Sequence, residues 1–221
     1  MKRQIKRALK LREHRGEGEG AEYKPWIKAR EFNSTGTAHN IVDWKSGRTI
    51  ELLSEGETWL YYILRWDDRV ADIREQFPLN LAETNAIADN SGIMRVDKGE
   101  DNMTTDLLVT MDDGTFRAYS VKADRSQTVA PRDIEKLWIE KTYWNTHKIP
   151  WKLVYKIDLN RDYADNIRLC VEYYNQKWVF DKMSMLKHLI AKKVIIVDMK
   201  HGPLDFEKIL KEAERRPEWI L

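Results

Sequence analysis

Thr105-Asp106-Leu107-Leu108-Val109-Thr110-Met111-Asp112-Asp113-Gly114-Thr115-Phe116-Arg117-Ala118-Tyr119-Ser120-Val121-Lys122 decides the fold. An apolar run, an Asp-Asp-Gly turn and a second run make it a β-hairpin. On the second strand the period of two sends Ser120 and Lys122 to one face and Val121 to the other. Asp106 opens the first strand and Lys122 closes the second, so the hairpin can set a carboxylate beside an ammonium. On spacing alone, solvated charges at two strand ends are the commoner explanation.

The flanks extend the pattern. Residues 70–78 read as a buried strand ending in Phe77-Pro78, and 82–89 as a short helix. Pro131 at N1 opens a long helix with Ile134, Leu137, Trp138 and Tyr143 near one face. Glu135, Lys136, Glu140 and Lys141 decorate it, and 151–157 form the next strand. Upstream, 39–44 and 49–53 flank a Lys45-Ser46-Gly47-Arg48 turn as a second hairpin. Ser54 then caps a helix, and Glu57 at N3 completes a capping box. A glutamate that satisfies its own helix end competes with any role as a metal ligand. The element order predicts an α/β chain with a mixed sheet flanked by helices.

The two ends differ from this middle. Lys2, Arg3, Lys6, Arg7, Lys10, Arg12 and Arg15 crowd the start, with Ile5, Ala8 and Leu11 at helical spacing. They read equally as a solvated helix with an apolar seam and as a basic arm along phosphates. Gly16-Glu17-Gly18-Glu19-Gly20 reads as a flexible joint. After Asn160 come helices over 162–175 and 181–191, a strand over 194–199 and a charged helix over 205–216. That suits a small α/β or winged-helix-like appendage for docking a partner or DNA. The expected division is an arm over 1–20, a main domain over 21–160 and the appendage over 161–221.

With 221 residues the chain can bury a real core. A net charge of +2, with 33% charged residues of both signs, leaves any nucleic-acid affinity to local patches. The single Cys170 excludes an intramolecular disulfide and fits a reducing cytoplasm. No apolar run approaches a membrane span and no signal peptide is visible, so a soluble, membrane-free protein is expected. There is no phosphate-cradling loop ending in Gly-Lys-Ser/Thr and no Gly-x-Ser-x-Gly elbow. His14, His39, His147, His188 and His201 show no metal-ligand spacing. What remains is oxygen-ligand chemistry, which suits Mg²⁺ or Mn²⁺.

A carboxylate beside a strand-end lysine is the pairing that nucleases of the PD-(D/E)xK type use to hold a divalent metal next to a water-activating amine. Several runs sharpen that reading. They are Tyr23-Lys24-Pro25-Trp26, Gly47-Arg48, Leu52-Leu53-Ser54-Glu55-Gly56-Glu57 and Asp72-Ile73-Arg74-Glu75-Gln76-Phe77-Pro78-Leu79. Thr105-Asp106-Leu107-Leu108-Val109, Val121-Lys122, Glu135-Lys136-Leu137, Tyr143-Trp144 and Ile149-Pro150-Trp151 follow in order. Together they resemble the TnsA family, endonuclease subunits of heteromeric cut-and-paste transposases.

The resemblance implies a restriction-endonuclease-like core in a bacterial cytoplasm that cleaves the 5′ ends of a transposon. The TnsB transposase handles the 3′ ends, and the ATPase TnsC regulates the complex. Position by position, the family's catalytic residues fall on Glu57, Asp106 and Lys122. Mg²⁺ or Mn²⁺ would be held by Glu57, Asp106 and the Val121 carbonyl, with Lys122 orienting or deprotonating the attacking water. Ser120 stands where a member of the family carries glutamine, a shorter reach toward a metal. Glu140 and Glu135 are expected to help from the following helix, and Lys2, Arg3, Lys6, Arg7 and Lys10 to contact double-stranded DNA at the transposon ends. The C-terminal region is shorter than the family's. The rivals are a stand-alone restriction or repair nuclease and a catalytically lapsed docking module.

Overall fold

A computed structural model describes residues 6–31, 38–177 and 181–215. The chain divides into two compact units, Met1–Leu159 and Asn160–Leu221. The first contains helix α1 (Arg7–Arg12), a hairpin of β1 (His39–Val42) and β2 (Thr49–Leu52), and helix α2 (Glu55–Arg65). Strand β3 (Val70–Pro78), helix α3 (Leu81–Asn90), the hairpin of β4 (Thr104–Met111) and β5 (Phe116–Lys122), helix α4 (Pro131–Thr146) and strand β6 (Trp151–Tyr155) follow. The main sheet runs β3-β4-β5-β6, antiparallel except for the parallel β5–β6 pair. This is the expected mixed α/β arrangement, with α4 as the crossover that a parallel pair requires.

Leu107, Leu108 and Val109 are buried one after another, so both faces of β4 are covered. Leu79, Leu108, Ala118, Tyr143 and Trp144 form one cluster, with Phe77, Phe116 and Trp151 packed against it. The buried face of α4 is Ile139, Glu140, Tyr143 and Trp144, while Ile134 and Trp138 are exposed. The sequence reading put Ile134 and Trp138 inside and Glu140 outside. Periodicity counts apolar residues only, and here a carboxyl is carried inward because two hydroxyls meet it.

The glycine-rich stretch is a packed turn rather than a flexible joint. Gly16 donates to the Lys24 carbonyl at 2.6 Å and lies so close to Pro78 that a Cβ would collide with the ring. The Gly20 N–H donates to Asp72 Oδ2 at 2.9 Å, and the Tyr23 hydroxyl to the Glu75 carbonyl at 3.0 Å. Residues 16–26 thus run along β3, the edge strand, and cover groups that would otherwise lie open. Nor does α1 bury an apolar seam: Ala8 and Leu11 are exposed while Lys10 is buried, paired with Asp101 at 2.7 Å and lying over the Trp26 ring. Ile5 lies outside the described residues.

The second unit holds α5 (Arg161–Val171), α6 (Lys182–Ala191) and α7 (Phe206–Glu214). The strand expected over 194–199 does not form. Among the described residues this unit has no other strand, so a lone Val-Ile-Ile-Val run finds no ladder for its backbone. Ile195 and Met199 are buried instead, and the buried Asn166 side chain donates to the Met199 and Gly202 carbonyls, both at 2.9 Å. Three helices without strands correct the α/β or winged-helix expectation, because the wing is missing among the described residues. No helix among them is long and apolar enough to cross a membrane.

Candidate active site

The site forms where the first turn of α2 meets the splayed ends of β4 and β5. Ser54 caps α2, its hydroxyl accepting the Glu57 N–H at 3.2 Å. Gly56 lets this turn come close: a Cβ there would lie 2.9 Å from Val121 Cγ1 and 3.0 Å from Lys156 Cβ. The Glu57 carboxylate accepts from the Leu53 N–H at 2.9 Å and from the Ser54 hydroxyl at 2.8 Å. The capping box is therefore present, with Leu53 supplying the N–H.

The β4–β5 register runs from Thr110 opposite Phe116 to Leu107 opposite Tyr119. Just beyond it, Asp106 Oδ2 takes the Val121 N–H at 2.6 Å. Gln76 then joins the two acids. Its Nε2 donates to Glu57 Oε2 at 3.4 Å and to Asp106 Oδ1 at 3.3 Å, and its Oε1 accepts from the Thr104 hydroxyl at 3.1 Å. Gln76 is buried in mid-strand with φ +47°, a left-handed backbone that costs a non-glycine residue roughly 1–2 kcal/mol. Its carbonyl accepts the Trp26 N–H at 3.2 Å. Sequence reasoning missed Gln76 as a site residue, and the available signal was a neutral polar side chain inside the buried run 70–78.

The electrostatics are those of buried acids held close together. Burial, and then the charge of Asp106, push the Glu57 carboxyl up to about 8. Burial also raises Asp106, against the Lys122 charge and the Val121 N–H, which pull it down. The Lys122 ammonium makes no hydrogen bond or ion pair among the described residues. Two hydroxyls bind Glu140 Oε1, Ser120 at 2.5 Å and Thr105 at 2.7 Å, and the Trp151 and Trp144 indoles donate to those hydroxyls in turn. Burial and the charge of Asp106 raise Glu140 to about 7.

The structure thus brings Glu57, Asp106 and the backbone of Val121 together, keeps Lys122 within the field of Asp106, and sets Ser120 and Glu140 beside them. Glu135 is not drawn in, since it pairs with Arg132 at 2.8 Å. Of the basic arm, Lys2 and Arg3 lie outside the described residues. Arg7 donates to Asn102 at 2.7 Å and Lys10 is buried on Asp101, which leaves Lys6 exposed. Among the described residues no three His, Cys, Asp or Glu side chains cluster to hold a metal unaided. Two carboxylates that share one amide are oxygen donors of the kind Mg²⁺ takes, alongside several waters and substrate phosphate oxygens.

Residues 67–156 match the family model described as "TnsA-like endonuclease N terminal", a span that holds Gln76, Asp106, Lys122 and Glu140 and begins after Glu57. The class is that of an endonuclease. The chain is also 34% identical over 196 residues to the transposon Tn7 transposition protein TnsA of Escherichia coli, across 86% of this chain and 72% of that protein. It belongs to the TnsA family of transposition endonuclease subunits.

Proposed function

We propose that the chain is a metal-dependent nuclease with a restriction-endonuclease-like, PD-(D/E)xK core, and that it cleaves the 5′ ends of a transposon. It acts with a TnsB-type transposase on the 3′ ends and under a TnsC-type ATPase. The observation that supports this best is the convergence of Glu57 and Asp106 on one neutral amide, with Lys122 beside Asp106. Glu57, Asp106 and the Val121 carbonyl would hold Mg²⁺ or Mn²⁺. Such an ion, when bound, polarises the phosphate and lowers the pKa of its water.

The chain's own residues do the rest. Val121 fixes the Asp106 carboxylate through its N–H, and the α2 cap fixes Glu57, so both acids are oriented before substrate arrives. Lys122, whose ammonium is not committed to a partner carboxylate, orients the attacking water and meets the charge that develops on the phosphoryl oxygens. Ser120 spends its proton on Glu140, so it supports the acid network. Of the basic arm, the exposed Lys6 and Arg12 are left to lie along DNA phosphates, with Lys2 and Arg3 as the further candidates from the sequence.

The test is strand-specific cleavage of end-labelled transposon-end DNA in Mg²⁺, with and without cognate TnsB and TnsC. Wild type is compared with Asp106→Ala. Partner-dependent 5′ cleavage, lost in the variant while 3′ cleavage persists, is the expected result. Cleavage by the chain alone would favour an independent nuclease, and no 5′ cleavage with partner binding intact would favour a docking module.

A further inference from the structure

We infer that Gln76 is a positioning residue that holds Glu57 and Asp106 converged for the cation, its amide standing between them until the ion arrives. This rests on the metal-dependent reading above and deepens it. One Nε2 group lies within 3.4 Å of Glu57 Oε2 and 3.3 Å of Asp106 Oδ1. It brings donor hydrogens to both oxygens without adding charge, so the acids gain a tether that does not neutralise them.

Two further contacts and the backbone angle leave the amide little choice of orientation. The Thr104 hydroxyl takes Oε1 and so turns the NH₂ toward the acids. The Trp26 N–H holds the Gln76 carbonyl, and the left-handed φ bends β3 there. A strained backbone at a buried polar residue that touches both acids has a functional meaning that a packing residue would lack. A glutamate in this place would add a third like charge, and an apolar side chain would remove the one group that joins the two carboxylates. Either change alters what a cation meets on entry.

The experiment uses the full chain and two readouts. Calorimetric titration with Mn²⁺, without DNA, gives affinity; cleavage of transposon-end DNA by the assembled complex, over a range of Mg²⁺, gives half-saturation and the rate at saturation. Gln76→Met removes the amide at nearly constant volume, and Gln76→Gly serves as the second variant because it accepts the left-handed backbone. Loss of a supporting hydrogen bond to metal ligands typically costs 10–100-fold in metal affinity. The expected result is a roughly tenfold weaker Mn²⁺ affinity and a matching rise in Mg²⁺ half-saturation. The rate at saturating Mg²⁺ should return to within about threefold of wild type, a split that general unfolding would not give. Thr104→Val should move affinity in the same direction by less. Unchanged or tighter Mn²⁺ binding in both Gln76 variants, with wild type binding normally, would overturn the inference alone. Wild type that binds no Mn²⁺ and cleaves without metal would overturn the reading beneath it as well.

Discussion

Helix α2 carries a buried acid problem at each end and solves the two in opposite ways. At its C-terminal end Arg65 meets Asp43 through a fork of two hydrogen bonds, 3.0 and 2.7 Å, and donates to the Val70 and Ala71 carbonyls as well. At its N-terminal end Glu57 faces Asp106, and what bridges them is an uncharged amide. The first arrangement closes a structure and the second leaves a demand for positive charge. Burial alone would raise Asp43, yet the Arg65 hydrogen bonds and charge outweigh it and hold the carboxyl down at about 2. At Glu57 burial and the Asp106 charge together outweigh the Leu53, Ser54 and Gln76 hydrogen bonds that pull the carboxyl down.

Asp106 is where the two ends of α2 should differ most. Asp106→Asn should lower 5′ cleavage by about 10³-fold or more, roughly 4 kcal/mol of transition-state stabilisation. It should leave the thermal midpoint in EDTA unchanged or slightly higher, because a like charge is removed. A variant that unfolded in EDTA would make Asp106 a structural acid like Asp43. Next in size is Arg65→Met, which strands Asp43 without its partner and should cost about 3–5 kcal/mol by urea denaturation.

The two ends also predict opposite pH slopes. Asp43 has a folded value below its unfolded one, so its contribution of about 2 kcal/mol is complete above pH ~4 and is lost as pH falls through about 2. Glu57 has a folded value above its unfolded one. Its favourable contribution is complete below pH ~4.5 and is lost as pH rises through about 8, so metal-free protein should soften toward alkaline pH. Calorimetric midpoints across pH in EDTA and in Mg²⁺ test this: Mg²⁺ should flatten the alkaline slope and leave the acid one. The smallest effect belongs to Gly56→Ala. Better helix propensity partly offsets the contacts with Val121 and Lys156, so a net loss of about 1 kcal/mol is expected in the denaturation midpoint.

Strand β3, both hairpins and the helices around the sheet were legible because hydrophobic period and turn chemistry agree there. The nearness of Asp106 and Lys122 was legible from the hairpin's geometry, and that of Glu57 to Asp106 only through the family resemblance. Other features escaped for physical reasons. Val194 to Val197 has strong strand propensity, but propensity does not supply a pairing partner. Glu140 was expected to help from its helix, but its burial was not, because that depends on Thr105 and Ser120, 35 and 20 residues away. Gln76 is the sharpest case, since left-handed backbone is signalled by glycine or asparagine and hardly ever by glutamine. Lys10 escaped in the same way, its burial resting on Asp101.

The run of residues 16–26 along β3 makes trimming hazardous. Seen from outside, that segment is a dispensable leader: short, glycine-rich and far in sequence from the acids. Yet the Trp26 N–H that holds the Gln76 carbonyl belongs to it, as do the Gly20 and Tyr23 contacts that lace the strand's rim. Cutting the chain back past Trp26 would bare a sticky border of unpaired amides and also unlatch the backbone behind the amide bridge. Solubility and cleavage would then fall together, although Glu57, Asp106 and Lys122 had not been altered.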